Sequence, residues 1–245
     1  LTTQGVPFRM SCTQTHLKWL RGTTLLALLA ALPSASHAGM SFADDFNHND
    51  VSDWQVGNAN HHTIAADNGT LHLPVGSGTD SVTRFCEINP VVTGNRRVFS
   101  RGDDTLIVAG ADIKGNDNTS THSGGEMGIA ILFITDDGTR NRYDFRLHSG
   151  NDENIQIRKR QGGKTQTIAS VMQAQANHPD QEVNSRFCRY ELRVRIGENS
   201  NKVEALIDGE VVARATDDSP LKERSISLML FSGNNNDLLF DNVTM

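Results

Sequence analysis

The sequence predicts an all-β protein, an antiparallel two-sheet β-sandwich. Three observations carry that reading. The apolar runs are short, rich in Val, Ile, Leu and Phe, and closed by Gly, Asn, Asp or Pro. Several alternate with a period of two: Tyr143, Phe145 and Leu147 point one way, Arg142, Asp144, Arg146 and His148 the other. In the next run Ile155 and Ile157 alternate with Asn154, Gln156, Arg158 and Arg160, and Asp-Gly, Ser-Gly-Asn and Gly-Gly turns separate the neighbours. Period-two runs bounded by such turns form half-buried antiparallel strands, and many in series form a sandwich.

From the start of the chain, residues 1–9 precede the first methionine, Met10, and carry no fold signal. Residues 10–38 read as a secretory signal peptide. His16, Lys18 and Arg21 are basic, Thr23–Leu32 is apolar, and Ser36 and Ala38 stand where signal peptidase requires small residues. The apolar core is only about ten residues, too short to cross a hydrocarbon layer of about 30 Å as a helix. The expected product is an exported protein, secreted or periplasmic, with no membrane span after cleavage. Residues 39–245 are expected to form a single domain, a normal size for one sandwich.

Strands are expected near Met40–Phe46, Thr63–Ala65, Thr70–Pro74, Ser81–Ile88, Thr105–Lys114 and Met127–Thr135. The meander through Val171 follows, then Arg189–Ile196, Lys202–Ile207, Glu210–Thr216, Ser225–Ser232 and Leu238–Thr244. Asp208-Gly209 is a hairpin turn. One weak helix is expected around Ser170–Ala176. Loops fall at Gly57–His62, Gly115–Gly125 and Gln175–Ser185.

The chain has 23 basic and 29 acidic residues, and residues 1–38, expected to be absent from the exported product, hold Arg9, Lys18 and Arg21 but no acid. An acidic body argues against nucleic acid, which calls for a basic footprint. Against that background the wet face with Arg142, Arg146, Arg158 and Arg160 stands out. Guanidinium forks suit carboxylates and sulfates, so Arg142, Asp144, Arg146, His148, Arg158 and Arg160 are the candidate ligand-binding set, for an anionic polysaccharide. The alternative is an ordinary charged outer face. Stacking platforms for neutral sugars are scarce beyond the signal: Trp54, Tyr143 and Tyr190.

Cys86 and Cys188 remain after the signal. In an exported protein they can form one disulfide, contributing roughly 4–5 kcal/mol through loop closure. Two buried thiols are the alternative.

The opening FADDFN with Asp53-Trp54, and the closing FDNV at Phe240–Val243, resemble the first and last strands of concanavalin A-like jelly rolls. The runs RNRYDFRLHSGNDENIQIRKRQGGKTQTIAS and RYELRVRIGENSNKVEALIDGEVVARATD are similar to strands of their laminin-G-like branch. The resemblance implies a two-sheet jelly roll with a concave, carbohydrate-directed face. It also implies a structural calcium ion between the first and last strands, held by Asp44 or Asp45 with Asp241 and by backbone carbonyls. An EF-hand reading of DDFNHND fails, because Asp50 and Val56 stand where Gly and Glu are required.

Catalytic readings are weaker. The glucanases of the superfamily carry E-x-D-x-E or E-x-D-x-x-E on one strand, and no such run exists here. A polysaccharide lyase acting on a uronate glycan needs a carboxylate neutraliser and a proton-moving Tyr or His. Arg142, Arg146 and His148 would be its set, but Tyr143 lies on the apolar face by alternation. A structural or adhesive surface module with no glycan site is the third reading. The histidines show no metal-ligand spacing, and no nucleophile elbow is present.

Overall fold

The computed structural model describes residues 42–57, 64–73, 84–88, 97–98, 105–115, 126–148, 154–172, 186–223, 225–232 and 238–245. The signal segment, the Gln175–Ser185 loop, all of the Gly115–Gly125 loop after Gly115 and most of the Gly57–His62 loop lie outside the described residues.

Alternation and turn chemistry become sixteen described strands. They are β1 Ala43–Asp44, β2 Trp54–Gly57, β3 Ala65–Asp67, β4 Thr70–Leu73, β5 Arg84–Ile88 and β6 Arg97–Val98. Next come β7 Leu106–Gly115, β8 Glu126–Ile134, β9 Arg140–His148, β10 Asn154–Gln161 and β11 Lys164–Met172. The last are β12 Cys188–Ile196, β13 Asn201–Ile207, β14 Glu210–Asp217, β15 Ser225–Ser232 and β16 Leu238–Thr244. The first sheet has the order β14-β13-β12-β7-β16-β4-β3, with β1 on β16. The second has the order β11-β10-β9-β8-β15-β5-β2, with β6 on β15. Every pairing is antiparallel.

Three details differ from expectation. β1 ends at Asp44 rather than Phe46, because Asp44 Oδ1 accepts the Phe46 N–H at 2.9 Å and Phe46 turns to φ 51°; Met40 and Ser41 lie outside the described residues. The expected helix at Ser170–Ala176 starts inside β11, whose pairing with β10 runs to Met172↔Asn154; strand partners override a weak local preference. Short β2 and β6 carry too few residues to show a period.

The core lies between the sheets. Ile129, Ile131, Phe133, Tyr143, Phe145, Ile155, Ile157, Leu228 and Leu230 of the second sheet face Ile113, Leu192, Val194, Val203 and Phe240 of the first. Tyr143, on the apolar side of β9 as alternation requires, is fully buried. The Asp208-Gly209 turn has φ 49° and 85°, the left-handed pair of a type I′ hairpin, with Asp208 Oδ1 accepting the Arg189 N–H at 2.8 Å.

The expected Cys86–Cys188 disulfide is not formed in this structure. Both residues are buried, Cys86 on β5 and Cys188 on β12, in opposite sheets. The chain takes the alternative of two buried thiols, each packed in the core between the sheets.

Candidate functional site

The outward face of the second sheet gathers the arginines. β9 and β10 pair with Asp144 opposite Arg158, Arg146 opposite Gln156 and Arg142 opposite Arg160. Directly opposite residues on one face have Cβ atoms about 4.5–5.5 Å apart, so the register alone places these side chains side by side.

Asp144 stands at the centre. Its Oδ1 accepts from Arg158 Nε at 2.6 Å and its Oδ2 from Arg142 Nε at 2.9 Å. Its side chain is 0% exposed, against 16% for Arg142 and 12% for Arg158. A carboxylate so buried is stable only when paired, and here two cations hold it. Both arginines bind it through Nε, the inner edge of the guanidinium. Arg146 Nη1 donates to Gln156 Oε1 at 3.2 Å, across the same strand pair. Arg160 is exposed, at the solvent end of the row. Exposed Arg140 shares the alternation of Arg142 and extends the row; it was not among the expected residues. His148 closes β9 opposite Asn154, and its side chain lies outside the described set.

Beside this row the same face is apolar. Ala130, Leu132, Ile134, Met229 and Phe231 form a second buried cluster, separate from the core between the sheets. Ala130 pairs with Asp144, and Leu132 with Arg142. Arg142 Nη1 reaches Met229 Sδ at 3.8 Å. The face therefore joins a cationic row to an apolar strip. The sequence showed the row, whereas the burial of Asp144 and the apolar strip depend on which strands become neighbours.

A second polar group lies inside the sandwich. Lys159 follows Ile155 and Ile157 on the inward side of β10, and its Nζ meets Asp217 Oδ2 at 2.8 Å. The ammonium also donates to the Ser219 carbonyl. Tyr143 Oη donates to Asp217 Oδ2 at 2.5 Å, while Asn201 Nδ2 and the Leu221 N–H both donate to Tyr143 Oη at 3.3 Å. Burial, and then the Asp217 carboxylate beside it, push the Tyr143 hydroxyl up. Burial alone would raise Asp217, but hydrogen bonds from Lys159, Tyr143 and the Ser219 N–H outweigh it and hold the carboxyl below its ordinary value. This cluster ties β9, β10, β13 and the Asp217–Leu221 segment together on the face opposite Arg142, so Tyr143 does not join the arginines in a lyase-like set.

The expected calcium ligands lie where the first and last strands meet. β1 pairs with β16, Asp44 opposite Val243, and Phe42 and Met245 exchange both backbone hydrogen bonds. Burial, then the negative charges of Asp112, Asp45 and Asp44, raise the Asp241 carboxyl. That is a field a cation would relieve. Most of the oxygens are already engaged, however. Asp44 accepts from Phe46 N and from Trp54 Nε1 at 2.8 Å, and Asp45 accepts twice from Asn47. Asp112 accepts from Asn242 Nδ2 at 2.8 Å and lies 3.4 Å from Arg189 Nη1. Among the described residues no group of three or more His, Cys, Asp or Glu side chains is arranged to hold a metal. Asp241 Oδ1 likewise accepts the Asn242 N–H at 2.6 Å, so a calcium site here would draw on Asp241 as its side-chain ligand and mainly on backbone carbonyl oxygens.

Among the described residues no helix is long and apolar enough to cross a membrane. No family description and no curated protein matches the chain. Solved structures do. An endo-1,3-beta-glucanase from Streptomyces sioyaensis matches with TM-score 0.57 and 13% identity, over 83% of this chain and 94% of its own. The kappa-carrageenase from Pseudoalteromonas carrageenovora, solved with an oligotetrasaccharide of kappa-carrageenan, matches with TM-score 0.51 and 14% identity, over 88% and 98%. A Bacillus subtilis protein of unknown function with a galectin-like fold matches with TM-score 0.53 and 12% identity, over 83% and 93%. At such identities the likeness shows the fold alone, a two-sheet jelly-roll β-sandwich of the concanavalin A-like kind.

Proposed function

We propose that this is an exported carbohydrate-binding module that takes an anionic polysaccharide on the outward face of β8, β9 and β10. The observation that carries the reading is the arginine row centred on Asp144 and flanked by an apolar strip. Guanidinium edges donate paired hydrogen bonds to carboxylate or sulfate. The fold supports the reading, since solved proteins sharing it include a glucanase and a carrageenase. Tyr143, whose hydroxyl is held inside the sandwich by Asp217, does not serve as a proton-moving group on the arginine face, which leaves that role in the lyase alternative to His148. The absence of the glucanase carboxylate run disfavours hydrolysis of that type.

The test is affinity electrophoresis and calorimetry against polygalacturonate, alginate, a sulfated galactan and a neutral β-glucan. Binding to one or more anionic polymers, and none to the neutral one, is expected. Arg142→Ala and Arg146→Ala should each weaken it roughly tenfold, the worth of a charge-assisted hydrogen bond of about 1.5 kcal/mol. Equal affinity for neutral and anionic polymers, or no binding by the wild type, would sink the reading. Ultraviolet absorbance of an unsaturated uronate, appearing on incubation with a polyuronate, would replace it with a lyase.

The reading includes calcium held through Asp241. Chelation with EDTA should lower the thermal midpoint, added calcium should restore it, and Asp241→Asn should abolish that response. A midpoint indifferent to both additions would remove calcium from the account.

A further inference from the structure

Asp144, expected among the ligand contacts, has no exposed surface to offer a glycan. The outward face does not end at the arginines, however. β11 lies beyond β10, and the register sets a hydroxyl beside each outward residue of β10: Arg160 pairs with Thr165, Arg158 with Thr167 and Gln156 with Ser170. On their other side the same three residues pair with Arg142, Asp144 and Arg146. Three cross-strand rows therefore run from β9 to β11. Each ends in an alcohol, one strand spacing of about 4.8 Å beyond the polar residue of β10.

A plain period of two would not give this phase. Ala169 pairs with Ile157 and Thr167 with Arg158, so Ile168 is an extra, unpaired residue, a β-bulge. Without it Ser170 would turn inward and Val171 outward. With it, Ile168, Ala169 and Val171 pack against the core, while Thr165, Thr167 and Ser170 are all exposed. Re-aiming side chains in this way is a common use of bulges at sheet edges. The exposed edge also lacks the charges that usually blunt one: from Thr165 to Met172 no residue is charged. Among the described residues none of the three hydroxyls has a hydrogen-bond partner.

Resting on the anionic-glycan reading above, we infer that Thr165, Thr167 and Ser170 are specificity-determining residues of that site: they hydrogen-bond ring hydroxyls beside the acid groups, so its ligands are anionic polysaccharides with unsubstituted ring hydroxyls. An alcohol donates one hydrogen bond and accepts others, and a sugar hydroxyl does the same, so each can complete the other. An O-acetyl group removes the sugar's donor and adds bulk against the hydroxyl row.

The experiment measures, by calorimetry over a salt series, binding to polygalacturonate, alginate and a sulfated galactan, each before and after chemical O-acetylation. For the polymers that bind, the wild type should prefer the unsubstituted form by about tenfold, the worth of two neutral hydrogen bonds. The double variant Thr165→Val with Thr167→Val keeps size, strand preference and every charge. It should lose about tenfold on the unsubstituted polymer and little on the acetylated one, so that the preference disappears. Its salt dependence should match that of the wild type, because neutral contacts are not screened, whereas Arg142→Ala should flatten it. Thr165→Ser with Thr167→Ser retains both hydroxyls and should retain the affinity. Gln166→Ala, in the inward phase of β11 opposite Lys159, should leave binding unchanged. A wild type that binds both forms alike, a valine variant that keeps the preference, or a loss as large at Gln166 overturns the role of the hydroxyl row while leaving anionic binding intact. Failure of the wild type to bind any of the three unsubstituted polymers overturns both.

Discussion

Gly128→Ala is expected to destabilise the sandwich by about 3 kcal/mol or more, at the upper end of overpacking costs. Gly128 sits on β8 with Phe231 opposite on β15 and Arg146 opposite on β9. A Cβ there would lie 1.9 Å from the Phe145 carbonyl oxygen and 2.8 Å from Phe231 Cζ. The Phe231 ring could turn aside, but the carbonyl belongs to the neighbouring strand and moves only with β9 itself. Because β9 carries Asp144 and Arg146, the same change should weaken glycan binding. For a domain of this size the thermal midpoint should fall by roughly 10 °C. A midpoint within a degree or two of wild type would show that β8 and β9 separate more easily than this packing implies. Gly110 provides the contrast. The three atoms nearest a Cβ there all belong to the Arg189 guanidinium, with Nη2 at 2.5 Å, and that flexible side chain can move, so a much smaller loss is expected for Gly110→Ala.

Lys159→Met is the second large effect, a loss of about 3–5 kcal/mol at neutral pH, because Asp217 is left buried and charged without its cation. The pH dependence has a definite sign. In the wild type, Asp217 is held below its ordinary value of 3.8, so its contribution is present above that value and is lost as pH falls through the lower folded value. In Lys159→Met the carboxyl loses the strongest of the contacts that lower it, while burial continues to raise it. The variant then gains from protonation where the wild type loses. The gap between the two, measured by urea denaturation, should be widest near neutrality and should narrow below about pH 4. A constant gap from pH 7 to pH 3 would contradict the assignment. Replacing Asp217 by leucine as well should recover part of the loss, since a buried pair removed together costs less than one removed singly.

Much of the fold was legible because β structure writes its period into the chain. The alternation in RNRYDFRLH assigned Tyr143, Phe145 and Leu147 to the core and the arginines outward, and the structure agrees residue by residue. The same alternation placed Lys159 inward after Ile155 and Ile157, a charged residue in an apolar series and a legible signal for the Asp217 pair that the sequence reading passed over. β2 and β6 were illegible because four and two residues are too few to establish a period. Ser170–Met172 of the helix expected at Ser170–Ala176 are strand because they pair with Gln156, Ile155 and Asn154 of β10, and the rest of that range lies outside the described residues.

The sequence by itself determined the secondary-structure type, the inward and outward faces of the long strands, the hairpin at Asp208-Gly209 and the residue types available for an anionic ligand. These are local properties, set by side-chain period and backbone preference. Only the tertiary structure decided that Asp144 lies beneath Arg142 and Arg158 with no exposed surface, that an apolar strip borders the row, that Asp217 meets Lys159, and that Asp44 and Asp45 are engaged by Phe46, Trp54 and Asn47. Each of these depends on register and on which strands become neighbours across long stretches of chain. A period of two says which way a side chain points and not what it meets, so Asp144 and the arginines were visible in the sequence on one face, and the burial of Asp144 between Arg142 and Arg158 was not.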